Sequence, residues 1–243
     1  MLDESTKLAP ANIVRLTLKS PSVLSTDLVQ KLNAALDRAE DIGSNAPIEI
    51  EIRGMDHLVD SPAWPGATDV MVVSKWEQVL RRIERMQTLS AVSVHGHCTA
   101  EALELLLVAD HRTVSHGTHI HLSTSDHDVW PSMALHRLCN QIGYARARRP
   151  MLFGGVLTGE QLREWGVVDS VTAGDAPFEV PEWRLSAIDP GDLSMRRRLL
   201  QDALDSSFDA ALGAHLAACD RTLKRMAGEH ATLDPQSGEA SAA

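Results

Sequence analysis

Two short apolar segments of period two bracket an amphipathic one: IEIEI at 48–52, an apolar stripe over 73–87, then AVSVH at 91–95. Strand, helix and strand in that order require a crossover, and repeated crossovers build a largely parallel sheet covered by helices. NIVRLTL at 12–18 adds an earlier alternating strand, after which Ser25 or Thr26 caps a helix striped by Leu28, Leu32, Leu36 and Ala39. In the 73–87 helix Val73, Trp76, Val79, Leu80, Ile83 and Met86 share one face, while Lys75, Glu77, Arg81, Arg82, Glu84 and Arg85 line the other. TAEALELLLVA at 99–109 reads as a mostly buried helix, followed by a strand around HRTVS. The expectation is therefore an α/β fold.

The second half is more helical. Pro131 suits the first turn of a helix that ends at Gly143, and Thr158 with Gln161 forms a capping-box pattern before a helix closed by Gly166. VVDSV at 167–171 is a return strand. A polar linker near 173–192 precedes an amphipathic region over 194–228, and the tail from 231 onward is expected to be disordered. This divides the chain into a main domain over 1–189, a helical region over 190–229 and a tail over 230–243.

A chain of 243 residues, 44% apolar and 23% charged, buries a full core and does not have the composition of a disordered protein. A formal net charge of -10 argues against a general nucleic-acid binder, because phosphate contacts need clustered Lys and Arg, and leaves room only for a local basic pocket. No apolar run reaches the length of a membrane span and the acidic start MLDESTKLAP is unlike a signal peptide, so a cytoplasmic protein with no membrane partner is expected. Cys98, Cys139 and Cys219 are odd in number and lack C-x-x-C spacing, which argues against a disulfide framework and a thiolate zinc site.

The block AVSVHGHCTAEALELLLVAD at 91–110 resembles the central motif of the crotonase (enoyl-CoA hydratase/isomerase) superfamily: strand, Asn-Gly, glycine-rich turn, then Cys-Glu-Leu on a helix ending in Asp. GGVLTGEQLREWGVVDSV at 154–171 is similar to that family's leucine-threonine-glycine, helix and glycine-leucine-valine ending, and the likeness runs over roughly residues 12–172. The resemblance implies a crotonase-like (ClpP/crotonase) fold of stacked strands and crossover helices with a C-terminal helical region. It also implies an acyl-CoA substrate, with coenzyme A as part of the substrate and no separate cofactor, and a homo-oligomer, trimer or hexamer.

Counted without gaps from Gly96, the resemblance puts Glu104 on the family's first catalytic glutamate. It puts Ala100, Glu101 and Ala102 on its glycine triplet, so the main-chain N–H of Glu101 takes an oxyanion-hole position. Without the resemblance, a structural carboxylate is the first account of Glu104. An enolising thioester needs donors aimed at its oxygen, and free N–H groups in a first helical turn supply one with a favourable dipole. The other donor comes from the turn HLVDSPAW, where a one-residue gap sets Val59 near the donor and Asp60 and Ser61 near the adenine side. With Asp60 and Ser61, His97 and Ala100 are the candidate substrate or coenzyme A contacts, although His95 and His97 read equally as packing residues. Arg81, Arg82 and Arg85 fit either coenzyme A phosphates or a solvated face, the solvated face being the plainer account.

The family's second glutamate aligns with Ser123 and Thr124, leaving one acid/base group unless Asp126 or Asp128 substitutes. One glutamate suffices for enolisation or for loss of a leaving group driven by aromatisation, whereas hydration uses two. His116, His119 and His121 raise a metal reading, but no carboxylate completes that site and the resemblance implies no metal. Within the superfamily, SKWEQVLRRIER, AEALELLLVAD, WPSMALHRL and FDAALGAHLAACDR are similar to the accessory crotonase of 3,5-dihydroxyphenylglycine biosynthesis in actinomycete glycopeptide-antibiotic pathways. That likeness implies dehydration and aromatisation of a CoA-bound polyketide to 3,5-dihydroxyphenylacetyl-CoA beside a type III polyketide synthase. A conventional enoyl-CoA hydratase or isomerase and a non-catalytic partner stabilising the synthase are the alternatives.

Overall fold

The computed structural model describes residues 13–42, 46–57, 64–122, 129–173 and 190–233. The chain divides into two compact units, Met1–Pro190 and Gly191–Ala243. In the first, a five-stranded parallel sheet runs β1 (Val14–Lys19), β2 (Ile48–Arg53), β3 (Ser90–His95), β5 (His111–Ser115) and β8 (Ser170–Thr172). A three-stranded sheet holds β4 (His97–Thr99), β6 (His119–His121) and β7 (Val156–Thr158), with β4 and β6 parallel and β6 and β7 antiparallel. The α/β fold with parallel strands and crossover helices is the one expected.

The helices follow the apolar stripes and stop where side chains satisfy their ends. α1 (Thr26–Ile42) buries Leu28, Leu32, Leu36 and Ala39, and the Ser25 hydroxyl accepts from the Leu28 N–H. α2 (Val70–Arg85) begins three residues before the stripe at 73. The cause is Asp69, whose carboxylate accepts from the N–H groups of Met71 and Val72 at 2.8 and 3.0 Å. The added turn exposes Val70 and Met71, so apolar periodicity carries no sign of it.

α3 (Ala100–Leu106) is shorter than the apolar run through Ala109. The carbonyls just past its end are taken by side chains instead of a further turn: Arg112 donates to Leu107 and Ala109, and Gln141 donates to Leu107. Asp110 then accepts from the N–H and hydroxyl of Ser90, both at 2.9 Å, fastening the helix exit to β3. α3 touches β3 of the large sheet and β4 and β6 of the small one, so it is packed between them.

α4 (Ala134–Ile142) ends at Gly143 as expected but leaves Pro131 outside its first turn, because the helix opens only at Ala134, whose N–H donates to the Ser132 hydroxyl. α5 (Tyr144–Phe153) follows at once and has no counterpart in the sequence reading. α6 (Gly159–Glu164) carries the expected Thr158–Gln161 capping box. In the second unit the expected amphipathic stretch is two helices, α7 (Pro190–Asp202) and α8 (Phe208–Leu233). Ser206 back-bonds to the Asp202 carbonyl at the break, and the Ser207 hydroxyl accepts from the Ala210 N–H as α8 begins. Helix continues to Leu233, past the expected onset of disorder at 231; residues 234–243 and most of the expected linker lie outside the described residues.

The chain approaches itself most closely where β2 ends. Gly54 and Met55 hydrogen-bond to the carbonyls of His95 and His97, and the His97 N–H donates back to Met55 at 2.8 Å. A Cβ on Gly54 would lie 2.7 Å from the His95 carbonyl oxygen and closer still to that of His97. Gly96 adopts φ +73°, and its Cβ would press on the Met55 carbonyl. Gly54→Ala is expected to destabilise the protein by about 1–3 kcal/mol through this overpacking. Equilibrium denaturation of the two proteins measures it, and an unchanged midpoint would contradict the close approach.

Candidate active site

α3 carries both carboxyls that the sequence singles out. Glu101 to Leu106 are all buried, and Ala100, the first residue of the helix, is half-buried. Glu104 is fully buried. Its Oε2 accepts from the Trp76 indole N–H at 2.5 Å and its Oε1 from the Trp64 indole N–H at 3.3 Å. The two indoles meet edge to face, 5.3 Å between centroids, and the Ser132 side chain adds a further hydrogen bond to the carboxyl. Burial is the dominant influence on this carboxyl and pushes it up to about 7, against the pull of the three donors and with a smaller push from the Glu77 charge. Glu77 is itself held by Arg137 at 3.0 Å.

Glu101 turns its side chain toward the end of β1. It accepts from the Ser20 hydroxyl at 2.5 Å, from the Thr99 hydroxyl, and from the backbone N–H groups of Ser22 and of Glu101 itself. Burial nonetheless holds its carboxyl above the usual carboxylate range. The Glu101 N–H, expected as an oxyanion donor, thus faces its own carboxyl in the resting protein. Cys98, packed beside this cluster, has its thiol pushed up to about 12, first by burial and then by Glu101, and does not have the chemistry of a nucleophile.

His97 lies half-buried on β4, three residues before Ala100. Its ring stacks on His119 at 4.5 Å and its Nδ1 is 3.1 Å from Nε2 of His121, while the His57 ring is 6.1 Å away. Burial, and then the neighbouring imidazoles, hold His97 and His121 below the usual histidine range. Among the described residues no three His, Cys, Asp or Glu side chains are arranged to hold a metal ion. His116 stands apart from the cluster, 3.5 Å from Glu160. Arg82 is committed to α1, through Asn33, Asp37 and Glu40.

Val59, Asp60 and Ser61 lie outside the described residues, as do Ser123, Thr124, Asp126 and Asp128. The sequence reading missed Trp64, Trp76 and Ser132 as partners of Glu104, and Ser20 and Thr99 as partners of Glu101. Trp76 was legible only as an apolar residue on the buried face of α2. Its indole N–H, a donor that must find an acceptor when buried, was the available signal.

The raised carboxyl makes stability depend on pH. Glu104 goes from an ordinary value of 4.5 to about 7 on folding, so its neutral form is favoured in the native state. The stability it contributes is complete below about pH 4.5 and is lost as pH rises through about 7. Glu104→Gln removes this titration. Relative to wild type the variant is expected to gain up to about 3 kcal/mol between pH 4.5 and 8, on top of a pH-independent offset from altered hydrogen bonds. Unfolding of both proteins at pH 5 and pH 8 checks it, and a constant difference would contradict the raised carboxyl.

The comparisons with known proteins agree with the fold and the motif. A family model described as enoyl-CoA hydratase/isomerase matches residues 64–225. A relative from Amycolatopsis orientalis, called an enoyl-CoA-hydratase, is 37% identical over 215 residues, 87% of this chain and 96% of its own length. Among solved structures, an enoyl-CoA hydratase of Mycobacterium smegmatis shares 16% identity with a TM-score of 0.69, over 86% of this chain and 87% of its own. A protein of Thermobifida fusca YX, solved in complex with CoA, shares 16% identity with a TM-score of 0.69, over 88% and 90%. The chain belongs to the enoyl-CoA hydratase/isomerase family, the crotonase superfamily.

Proposed function

We propose that this chain acts on a CoA thioester with Glu104 as its single general acid/base, promoting dehydration and aromatisation of a CoA-bound polyketide to 3,5-dihydroxyphenylacetyl-CoA beside a type III polyketide synthase. The observation that carries the reading is a buried carboxyl poised at about 7, on the helix whose start supplies a backbone donor. Both protonation states are then populated near neutrality, as one group serving in turn as base and acid requires. The ionised carboxyl takes the proton α to the thioester, negative charge moves to the thioester oxygen, and the C–O bond to the departing hydroxyl breaks. Glu104 returns that proton to the departing hydroxyl as the charge on the thioester oxygen flows back to re-form the carbonyl, so one water is lost per double bond formed.

In this reading the N–H of Glu101 and that of a residue near Val59 receive the oxyanion. Besides its own amide the Glu101 carboxyl has three donors, Ser20, Thr99 and Ser22, and these remain to hold it when the thioester oxygen takes the Glu101 N–H. His97 and Ala100 line the approach, with Asp60 and Ser61 on the adenine side. Each water lost from a cyclised polyketide gains aromatic stabilisation, so one acid/base beside a polarised thioester suffices.

A second reading, reversible hydration of an enoyl-CoA, is favoured by the name of the Amycolatopsis orientalis relative. Turnover of crotonyl-CoA at ordinary enzymatic rates would select it. The third, a non-catalytic partner of the synthase, is separated by Glu104→Gln. Mixed with the synthase and malonyl-CoA, that variant is expected to lose on the order of a hundredfold or more of the stimulated product formation, read by mass spectrometry. Full stimulation by the variant would leave only the scaffold role.

We also propose a cytoplasmic homo-oligomer, trimer or hexamer, because α8 leaves Phe208, Leu212, Leu216 and Leu223 exposed in the single chain. Sedimentation at micromolar concentration is expected to give such a species, and Leu216→Glu to weaken it. A monomeric wild type would end that expectation.

A further inference from the structure

The two oxygens of Glu104 are held unequally. Trp76 projects from the middle of α2, where Val79, Leu80 and Ile83 are buried beside it, and its N–H sits 2.5 Å from Oε2. Trp64 comes from a turn ahead of α2 and its N–H sits 3.3 Å from Oε1, beyond the usual N–H···O range. An indole N–H donates and never accepts. When the carboxyl is neutral, its C=O oxygen is the better acceptor and its hydroxyl oxygen the poorer one. The short bond therefore selects Oε2 as the C=O oxygen and leaves the proton on Oε1, the oxygen with the longer indole bond.

We propose that Trp76 and Trp64 are positioning residues that divide the work of the Glu104 carboxyl: Trp76 anchors Oε2, and Oε1 takes and returns the proton, with Trp64 as its resting partner. The inference rests on the reading of Glu104 as an acid/base. Of the two indole bonds Oε1 has the longer one to give up when it turns to substrate, while Ser132 also bonds the carboxyl and the Trp76 bond keeps it from rotating as the proton moves. Both indoles are 2% exposed and pack on one another, so water does not compete for either oxygen. Burial raises the carboxyl and the Trp76 donor limits that rise, which gives the short bond a second consequence, the pH at which the site works.

The test replaces each tryptophan in the full chain by β-(3-benzothienyl)alanine, which keeps the bicyclic shape and exchanges the N–H for sulfur. Circular dichroism first verifies folding of each variant. The titration of Glu104 is followed on its carboxyl carbon in 13C-glutamate-labelled protein, assigned by its absence in Glu104→Gln. Replacement at Trp76 is expected to raise the midpoint by about one pH unit, as loss of a hydrogen bond to the charged form requires. Replacement at Trp64 is expected to move it by less than half as much.

The second readout is α-proton exchange of phenylacetyl-CoA in D2O, measured against pH by mass spectrometry. Its Glu104 limb is expected to follow the same two shifts, whereas a merely structural role would lower exchange at every pH and leave the limb in place. An unmoved midpoint in the Trp76 replacement, or an equal or larger shift in the Trp64 replacement, overturns the proposal. Exchange by Glu104→Gln at the wild-type rate removes the base itself; exchange lost in Glu104→Gln with an unmoved Trp76 midpoint overturns this proposal alone.

Discussion

A carboxyl on a helix that has no solvent face must be satisfied by protein, and most of the main unit is arranged around two such carboxyls. Leaving either without partners would cost several kcal/mol in a low-dielectric interior. Glu101 and Glu104 stand three residues apart on α3, one turn apart along the same side of the helix, and draw on different elements. The end of β1 supplies Ser20 to Glu101. α2, the turn before it and the residue pair ahead of α4 supply Trp76, Trp64 and Ser132 to Glu104. Segments far apart in sequence are thus tied to one short helix by polar bonds, while its leucines join the apolar core.

The resemblance sets Ala100, Glu101 and Ala102 on the family's glycine triplet, and the structure gives room to all three side chains. Ala102 is a small buried residue, and Ala100 is half-exposed at the helix start. Glu101 is the demanding one, since a long acidic chain replaces a hydrogen atom. It fits because its carboxyl folds back over the first turn, where Ser20, Thr99 and two amides receive it. A carboxyl near a helix N-terminus is favoured by the dipole as well. The same fold-back sets that carboxyl against its own N–H, so the amide and the acid of one residue are electrostatically linked.

How much of this was legible depended on whether the information was local. The strands at 48–52 and 91–95, the stripe of α1 and the capping box at Thr158 were readable because period and capping are properties of neighbouring residues. The early start of α2 was missed although Asp69 is an equally local cap, because the turn it opens is exposed and carries no apolar period. α3 stopped short of its apolar run, and the Leu107 carbonyl just past its end is taken by Arg112, five residues on, and by Gln141, distant in sequence. β4 is only three residues long and depends on register with β6, and the break between α7 and α8 depends on serine back-bonding. Glu104 was located by the motif, but its environment was not. Two tryptophans at 64 and 76 look like core residues in any one-dimensional reading, and only three-dimensional packing turns their N–H groups toward one acid.

That environment decides what kind of acid Glu104 is. A solvated glutamate is ionised at neutral pH and makes a weak base with almost no acid form to return the proton. Burial alone would overcorrect, leaving a carboxyl neutral across the useful range and unable to accept a proton. Trp76, Trp64 and Ser132 offset part of the burial by donating to the charged form, and Arg137 draws off the negative charge of Glu77 that would otherwise push further in the same direction. The balance falls at about 7. Four side chains that never need to touch a substrate thereby set the proton affinity of the one that does in the proposed reaction, and a reaction with a single acid/base group has no second carboxyl to compensate if that balance is lost.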